Sequence, residues 1–176
     1  MPCSPNIQLR VEMKRTMLFA AAAIAAVSPA RAEDAIVTYK SIAPDVALEL
    51  AQAALARCRH DGYQVAVVVI DRFGAPLVML RDRYAGLAAP ATAQGKAWTA
   101  VNFNRNTSDM LKAIHDGAMS AGLASLPNVV MLAGGVAIDA GGALLGGVGV
   151  AGAPGGDKDE ACAKAGLEAV RDKIEF

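Results

Sequence analysis

The sequence predicts an α+β domain, a five-stranded antiparallel sheet with flanking helices in the order α-β-β-α-α-β-β-β-α. Three observations predict it. Apolar residues recur at helical spacing through residues 44–60, short apolar runs are joined by tight turns containing glycine, and the chain closes on a helical stretch with an acidic start. Strands linked by short turns pair antiparallel, and helices grouped outside those pairs belong to α+β order rather than to alternating α/β order.

Pro44 and Asp45 open the first helix. Ala47, Leu50, Ala51, Ala54, Leu55 and Cys58 share one face of it, and Asp61-Gly62 ends it. Residues 65–70 form a continuous, largely β-branched run, and Asp71-Arg72-Phe73-Gly74 turns it into a second strand at 76–81. Asp82-Arg83-Tyr84-Ala85-Gly86 then leads to a helix over 90–103 and a shorter one over 108–115, for which Thr107 is the expected N-cap.

Residues 117–127 connect back to the sheet. Val129, Val130, Met131 and Leu132 read as a short buried strand bounded by Gly134-Gly135. Val136-Ala137-Ile138 and Ala143-Leu144-Leu145 flank Asp139-Ala140-Gly141-Gly142, a hairpin turn whose glycines permit positive φ. From Gly146 to Ala151 glycine alternates with valine, leaving one face nearly bare, so that another backbone or a flat ligand can come close. After Gly152-Ala153-Pro154-Gly155-Gly156, Asp157 is the expected N-cap of the last helix. Asp159 and Glu160 stand in its first turn, Glu160 at capping-box spacing.

One domain is expected from 176 residues. Hydrophobic residues make up 54% and aromatics only 5%, so the core is built of Ala, Val and Leu and little surface is available for base stacking. Counted after Ala32, 13 Lys and Arg stand against 16 Asp and Glu, a body at −3. Without basic clusters that balance argues against nucleic acid and anionic membrane surfaces as partners.

The N-terminus carries an address. Lys14-Arg15, the apolar stretch 17–27 and Ala30-Arg31-Ala32 are the three parts of a secretory signal peptide, with cleavage expected after Ala32 and translation expected to start at Met13. The domains are therefore 1–32, an extension with a cleavable signal, and 33–176, a single folded domain in the periplasm or outside the cell. The apolar stretch is too short to span a membrane comfortably, so no stable span is expected after cleavage. Export removes Cys3 and leaves Cys58 and Cys162 in an oxidising compartment. Two states are open to them: buried free thiols, or a disulfide closing a loop of about a hundred residues, worth on the order of 4 to 5 kcal/mol.

The glycine-rich loop is a poor phosphate cradle, because no Lys-Ser/Thr follows it and the next helix begins with carboxylates. No G-x-S-x-G marks a serine nucleophile. Asp71, Asp82 and Asp159 are available for acid–base work, without a spacing that pairs them. His60 and His115 each stand near a predicted helix C-terminus, where the dipole favours a cation. As metal ligands by residue type they are joined by Met79, Tyr63, Tyr84 and Lys96.

The string GVGVAGAPGGDKDEACAKAG resembles the C-terminal signature of the GlcG/HbpS family, haem-associated proteins that also occur as the C-terminal domain of PduO-type proteins. A second block, Lys96-Ala97-Trp98-Thr99-Ala100 followed by Phe103-Asn104-Arg105-Asn106-Thr107, is similar to the family's Lys-Ala-x-Thr-Ala helix and the Thr-containing helix start after it. The resemblance covers roughly residues 44–174. It implies a profilin-like fold, a homo-oligomer and haem as cofactor, with His60 and His115 as the candidate iron ligands; no C-x-x-C-H is present, so the haem would be bound non-covalently. Three places depart from the family's pattern: Arg81-Asp82-Arg83-Tyr84-Ala85 where a Met-Asp-Gly-Ala-like sequence is common, Ala151 in place of Ser, and Val136 in place of a proline.

Ligand-binding candidates are Arg83, Tyr84, Lys96, Thr107, Gly134, Gly135 and Gly155. Arg83 and Lys96 suit the propionates of haem or the carboxylate of a small acid. Three readings follow. The first is an exported protein that binds haem or another tetrapyrrole, for sequestration, sensing or slow degradation. The second is an enzyme acting on a small organic acid held by Arg83 and Lys96. The third is an accessory subunit without a ligand.

Overall fold

The helical stripe of residues 47–58 forms as expected. In the structure, a computed structural model that describes residues 36–175, helix α1 (Pro44–His60) buries Ala47, Leu50, Ala51, Ala54, Leu55 and Cys58. The signal peptide, its cleavage site, Met13 and Cys3 lie outside the described residues. From Tyr39 onward the chain is one compact unit. After α1 come β1 (Ala66–Asp71), β2 (Pro76–Arg81), α2 (Ala89–Phe103), α3 (Thr107–His115), a 3-10 turn (Ala121–Ser125), β3 (Gly135–Ala140), β4 (Ala143–Ala151), α4 (Gly156–Glu168) and the short α5 (Arg171–Ile174).

The sheet runs β2-β1-β4-β3, and every neighbouring pair is antiparallel. β1 is central, which explains why its sequence does not alternate: both of its faces are buried. Val67 and Val69 join the core beneath α1 and α4, while Ala66, Val68 and Ile70 join a second core beneath α2. The chain is therefore three layers, helices on both faces of one sheet.

The bare face of the Gly-Val strand is covered by another backbone. α2 lies so close to β4 that a Cβ on Gly149 would run into the carbonyl of Ala93 and come within 2.8 Å of the Ala97 amide. Glycine in the strand and alanine in the helix are two halves of one contact.

The sheet has four strands among the described residues, not the expected five. Residues 129–132 do not pair with it. Two contacts explain why. Val130 donates its N–H to the Thr99 hydroxyl of α2 at 2.8 Å, so the segment is committed to the helix. The free edge of β3 is also already occupied: the Gly135 N–H donates to the Thr107 hydroxyl at 2.9 Å and the Ala137 N–H to Asn106 Oδ1 at 3.1 Å. Side chains at the start of α3 take the place a fifth strand would need, and residues 143–151 run as one continuous strand.

Two expected caps also differ. Asn106, not Thr107, occupies the N-cap of α3, because the Thr107 hydroxyl is spent on Gly135. Gly155, not Asp157, occupies the N-cap of α4, and no side chain caps it. Glu160 pairs with Lys164 instead of reaching back to the cap.

Cys58 of α1 and Cys162 of α4 are bonded, with Cα atoms 5.5 Å apart and a separation of 104 positions in sequence. A loop of that length makes the bridge worth about 4 to 5 kcal/mol in the entropic account. The double variant Cys58→Ala/Cys162→Ala should unfold at a clearly lower denaturant concentration, by roughly that free energy. Equal midpoints with and without the cysteines would show that the bridge does not hold the fold.

Candidate functional site

Where β4 ends, its chain turns away through Gly152-Ala153-Pro154-Gly155 into α4, and this turn forms one wall of an open cleft of about 690 Å³. The opposite wall is Gly86-Leu87-Ala88 with Ala89 and Thr92 of α2. Leu111 of α3 and the Leu132-Ala133 segment complete it. Its walls are mainly apolar, and two leucines stand on its rim in water: Leu87 is 96% exposed and Leu132 is 54% exposed. Exposed leucines beside a concave surface make the cleft a candidate binding site.

The charged part of the lining is Lys96, Asp157 and Asp159. Lys96 falls on the buried stripe of α2 with Ala89, Ala93, Ala97 and Ala100, and Asp159 on the buried stripe of α4 with Cys162, Ala163 and Gly166. A cation and a carboxylate on two buried stripes need each other, and they meet. Lys96 Nζ donates to Asp159 Oδ2 at 2.6 Å and to the Val150 carbonyl at 2.9 Å. Asp159 Oδ1 accepts from the Ala153 N–H at 3.0 Å, which fixes the loop wall to the same carboxylate.

Burial, the largest influence, holds the Asp159 carboxyl above its ordinary value of 3.8, while the hydrogen bonds from Lys96 and Ala153 draw it back down. The pair can hold a proton beside the cleft.

The predicted ligand residues separate into three groups. Lys96 and Gly155 line the cleft. Thr107, Gly134 and Gly135 stand behind it: Thr107 is fully buried on the Gly135 backbone, and a Cβ at Gly134 would come within 2.7 Å of Asp159 Cβ and 3.0 Å of Lys96 Nζ. Their place is to let Lys96 and Asp159 close. Arg83 and Tyr84 are exposed on the turn just before Gly86, with the Arg83 guanidinium 5.8 Å from the Tyr84 ring centroid.

Arg83 and Lys96 are thus not one cationic pair. Lys96 is 2% exposed and neutralised by Asp159, and Asp82 pairs with Arg59. The two histidines lie outside the cleft lining, with their rings exposed and held by neighbouring carboxylates, His60 by Asp61 at 3.0 Å and His115 by Asp116 at 3.2 Å.

Leu87 escaped sequence reasoning, and Leu132, expected in a buried strand, is exposed on the rim instead. Leu87 sits in a turn and Leu132 at the end of an apolar run, and neither position carries a periodic signal. The signal for Asp159 was present, as a carboxylate in phase with Cys162, Ala163 and Gly166.

Asp159→Asn leaves a buried ammonium without its counter-ion and should destabilise the protein by about 3 to 5 kcal/mol. Replacing both partners by apolar residues, Lys96→Met with Asp159→Leu, should recover most of that loss, and denaturant unfolding of the three variants measures it. The pH dependence has a definite sign. The folded protein holds the Asp159 proton more tightly than the unfolded chain, so the group's contribution is complete below pH ~3.8 and is lost as pH rises through the raised value. Stability curves of Asp159→Asn should lack that component.

The fold has known counterparts. A crystal structure of an HbpS double mutant from Streptomyces reticuli is 38% identical and superposes with a TM-score of 0.73 over 77% of this chain and 91% of that one. The structure described as a PduOC:heme complex is 30% identical, with a TM-score of 0.68 over 73% of this chain and 94% of that one. The corrinoid adenosyltransferase PduO of Citrobacter freundii is 35% identical over 106 residues. This chain spans about a third, 32%, of that curated relative's length. Residues 42–168 match the family described as haem degrading protein HbpS-like, and the chain belongs to that family.

Proposed function

We propose that this chain is an exported protein whose cleft binds haem or a related tetrapyrrole non-covalently. The observation that carries the reading is the pair of exposed leucines, Leu87 and Leu132, on the rim of a mainly apolar cleft of about 690 Å³ whose charged side chains are Lys96, Asp157 and Asp159. That volume lies within the usual range for small-molecule sites, and its Ala, Leu and Pro lining suits a flat apolar ring. Arg83, exposed on the adjoining turn, is the cation available to a ring carboxylate at the mouth. The PduOC relative whose structure is described as a heme complex supports the ligand class.

Export rests on the signal-peptide pattern before Ala32, and the Cys58–Cys162 bridge supports an oxidising compartment, periplasmic or extracellular. The homo-oligomer implied by the resemblance belongs to the same proposal.

A second reading is favoured by one observation, the Lys96–Asp159 pair on the cleft wall. A carboxyl held above its ordinary value beside an ammonium is suited to moving a proton on a small organic acid. In that case small carboxylic acids should raise the melting temperature, and turnover should vanish in Asp159→Asn.

The deciding experiment is a haemin titration followed by Soret absorbance. A saturable shift near one haem per chain is expected. Leu87→Asp should weaken it about tenfold through loss of one apolar contact, and Arg83→Ala should weaken it more at low salt than at high salt, where screening already removes the attraction. Both residues are exposed, so the variants fold. Binding that does not saturate, or that ignores both changes, refutes the cleft as the haem site.

A further inference from the structure

We infer that the chain carries a second site, a pocket of about 450 Å³ beside Trp98, that takes one neutral sugar ring. It shares no lining residue with the cleft and does not depend on the tetrapyrrole reading. The ground is an indole and two side-chain amides that line one pocket with no other bond to make.

Gln94 and Trp98 stand four residues apart on α2 and so share a face of it. A second wall comes from residues 128–130, which are docked on the helix. The Thr99 hydroxyl donates to the Gly95 carbonyl at 2.7 Å and accepts from the Val130 N–H at 2.8 Å, and a Cβ on Gly95 would lie 2.3 Å from Val130 Cγ2. That contact holds Asn128 in the lining. Gly74, in the turn between β1 and β2, forms the third side. A Cβ on it would come within 3.0 Å of Trp98 Cδ1 and 3.1 Å of Nε1, so the indole edge rests against bare backbone.

Asn128 lies in the turn Leu126-Pro127-Asn128-Val129, closed by the Val129 N–H on the Leu126 carbonyl at 3.2 Å, and has a left-handed φ of 65°. Glycine suits that backbone best, so the turn itself does not require an amide. Among the described residues neither the Gln94 amide, nor the Asn128 amide, nor the Trp98 Nε1–H has a hydrogen-bond partner. No charged residue lines the pocket, so neither an anion nor a cation is selected by charge. Each amide offers both donors and an acceptor, as neighbouring hydroxyls require, and the indole adds an apolar plate with one donor. Trp98 packs on the core beneath α2 with one part and lines the pocket with the rest. A ring with C–H groups on its face and hydroxyls around its edge uses all three groups. A purely aromatic ligand would use the plate and leave the amides unpaired.

Trp98 is the only tryptophan of the chain, so its emission reports the site directly. The probes are D-glucose, D-galactose and N-acetyl-D-glucosamine, each titrated into the purified chain. At least one should change the emission saturably, with half-saturation in the low millimolar range expected of a ligand of about twelve non-hydrogen atoms. Gln94→Ala and Asn128→Gly, of which the second keeps the turn, should each raise that concentration about five- to tenfold for one lost hydrogen bond. Maltose separates the two sources of such a ring: binding tighter than glucose marks the end of a glycan, equal binding a free sugar, and either supports the site. D-glucuronate and D-glucosamine, which add a charge to the ring, should bind no tighter than glucose. No saturable change with any neutral sugar up to about 100 mM overturns the inference, as does a response unaltered in both variants or a charged sugar bound more than about tenfold tighter than the neutral ones.

Discussion

The contact between Lys96 and Asp159 is the constraint on which the functional end of the molecule depends. α2 covers one face of the sheet and α4 the other, and the two would otherwise communicate only through the strands between them. The pair joins them directly around the end of β4, with the Val150 carbonyl sharing the ammonium. Such a pair adds little net stability compared with well-packed apolar residues, because both charges must first be taken out of water. Its effect is positional. Asp159 also receives the Ala153 N–H, so the same carboxylate that neutralises Lys96 sets the height of the loop that walls the cleft.

The glycines at 134, 135 and 149 follow from that arrangement. The ammonium reaches Asp159 only if α2 lies against the backbone of β3 and β4, and a side chain at Gly149 or Gly135 would meet the carbonyls of Ala93 or Lys96. Thr107 then closes the edge: its hydroxyl both accepts from the Gly135 N–H and donates to the Gly135 carbonyl. With Asn106 on Ala137, the start of α3 satisfies the outer edge of β3 and removes a site where another strand could pair. On the far side of the sheet the Cys58–Cys162 bridge ties α1 to α4, so α4 is held at two points along its length.

Much of this was legible in the residues. The stripe of α1, the β-branched run of β1 and the glycine turn between β3 and β4 were each read correctly as to type, because each follows a single local rule of period or turn chemistry. The failures share a different cause. Residues 129–132 have the composition of a strand, yet whether they pair depends on Thr99 and Asn106, some thirty residues away in sequence. Thr107 and Asp157 have cap chemistry, but a hydroxyl or carboxylate makes only the bonds its surroundings leave it, and those surroundings are tertiary. Lys96 was read, together with Arg83, as a cation available to a ligand's carboxylates, whereas it is buried on Asp159. Its alanine neighbours at 89, 93, 97 and 100 already placed it on the buried side.

The same distinction separates family from function. The string that carries the resemblance, GVGVAGAPGGDKDEACAKAG, includes Gly149 against α2, Asp159 against Lys96 and Cys162 in the bridge. Those roles assemble the scaffold, and they are what a family signature of this kind reports. The leucines on the open part of the cleft, Leu87 and Leu132, stand outside both family blocks, and Arg83 lies in a segment that departs from the family's pattern. A chain can therefore keep this fold and its cleft while changing what the rim accepts. In this chain that rim carries Leu87 and Leu132, with Arg83 exposed on the adjoining turn.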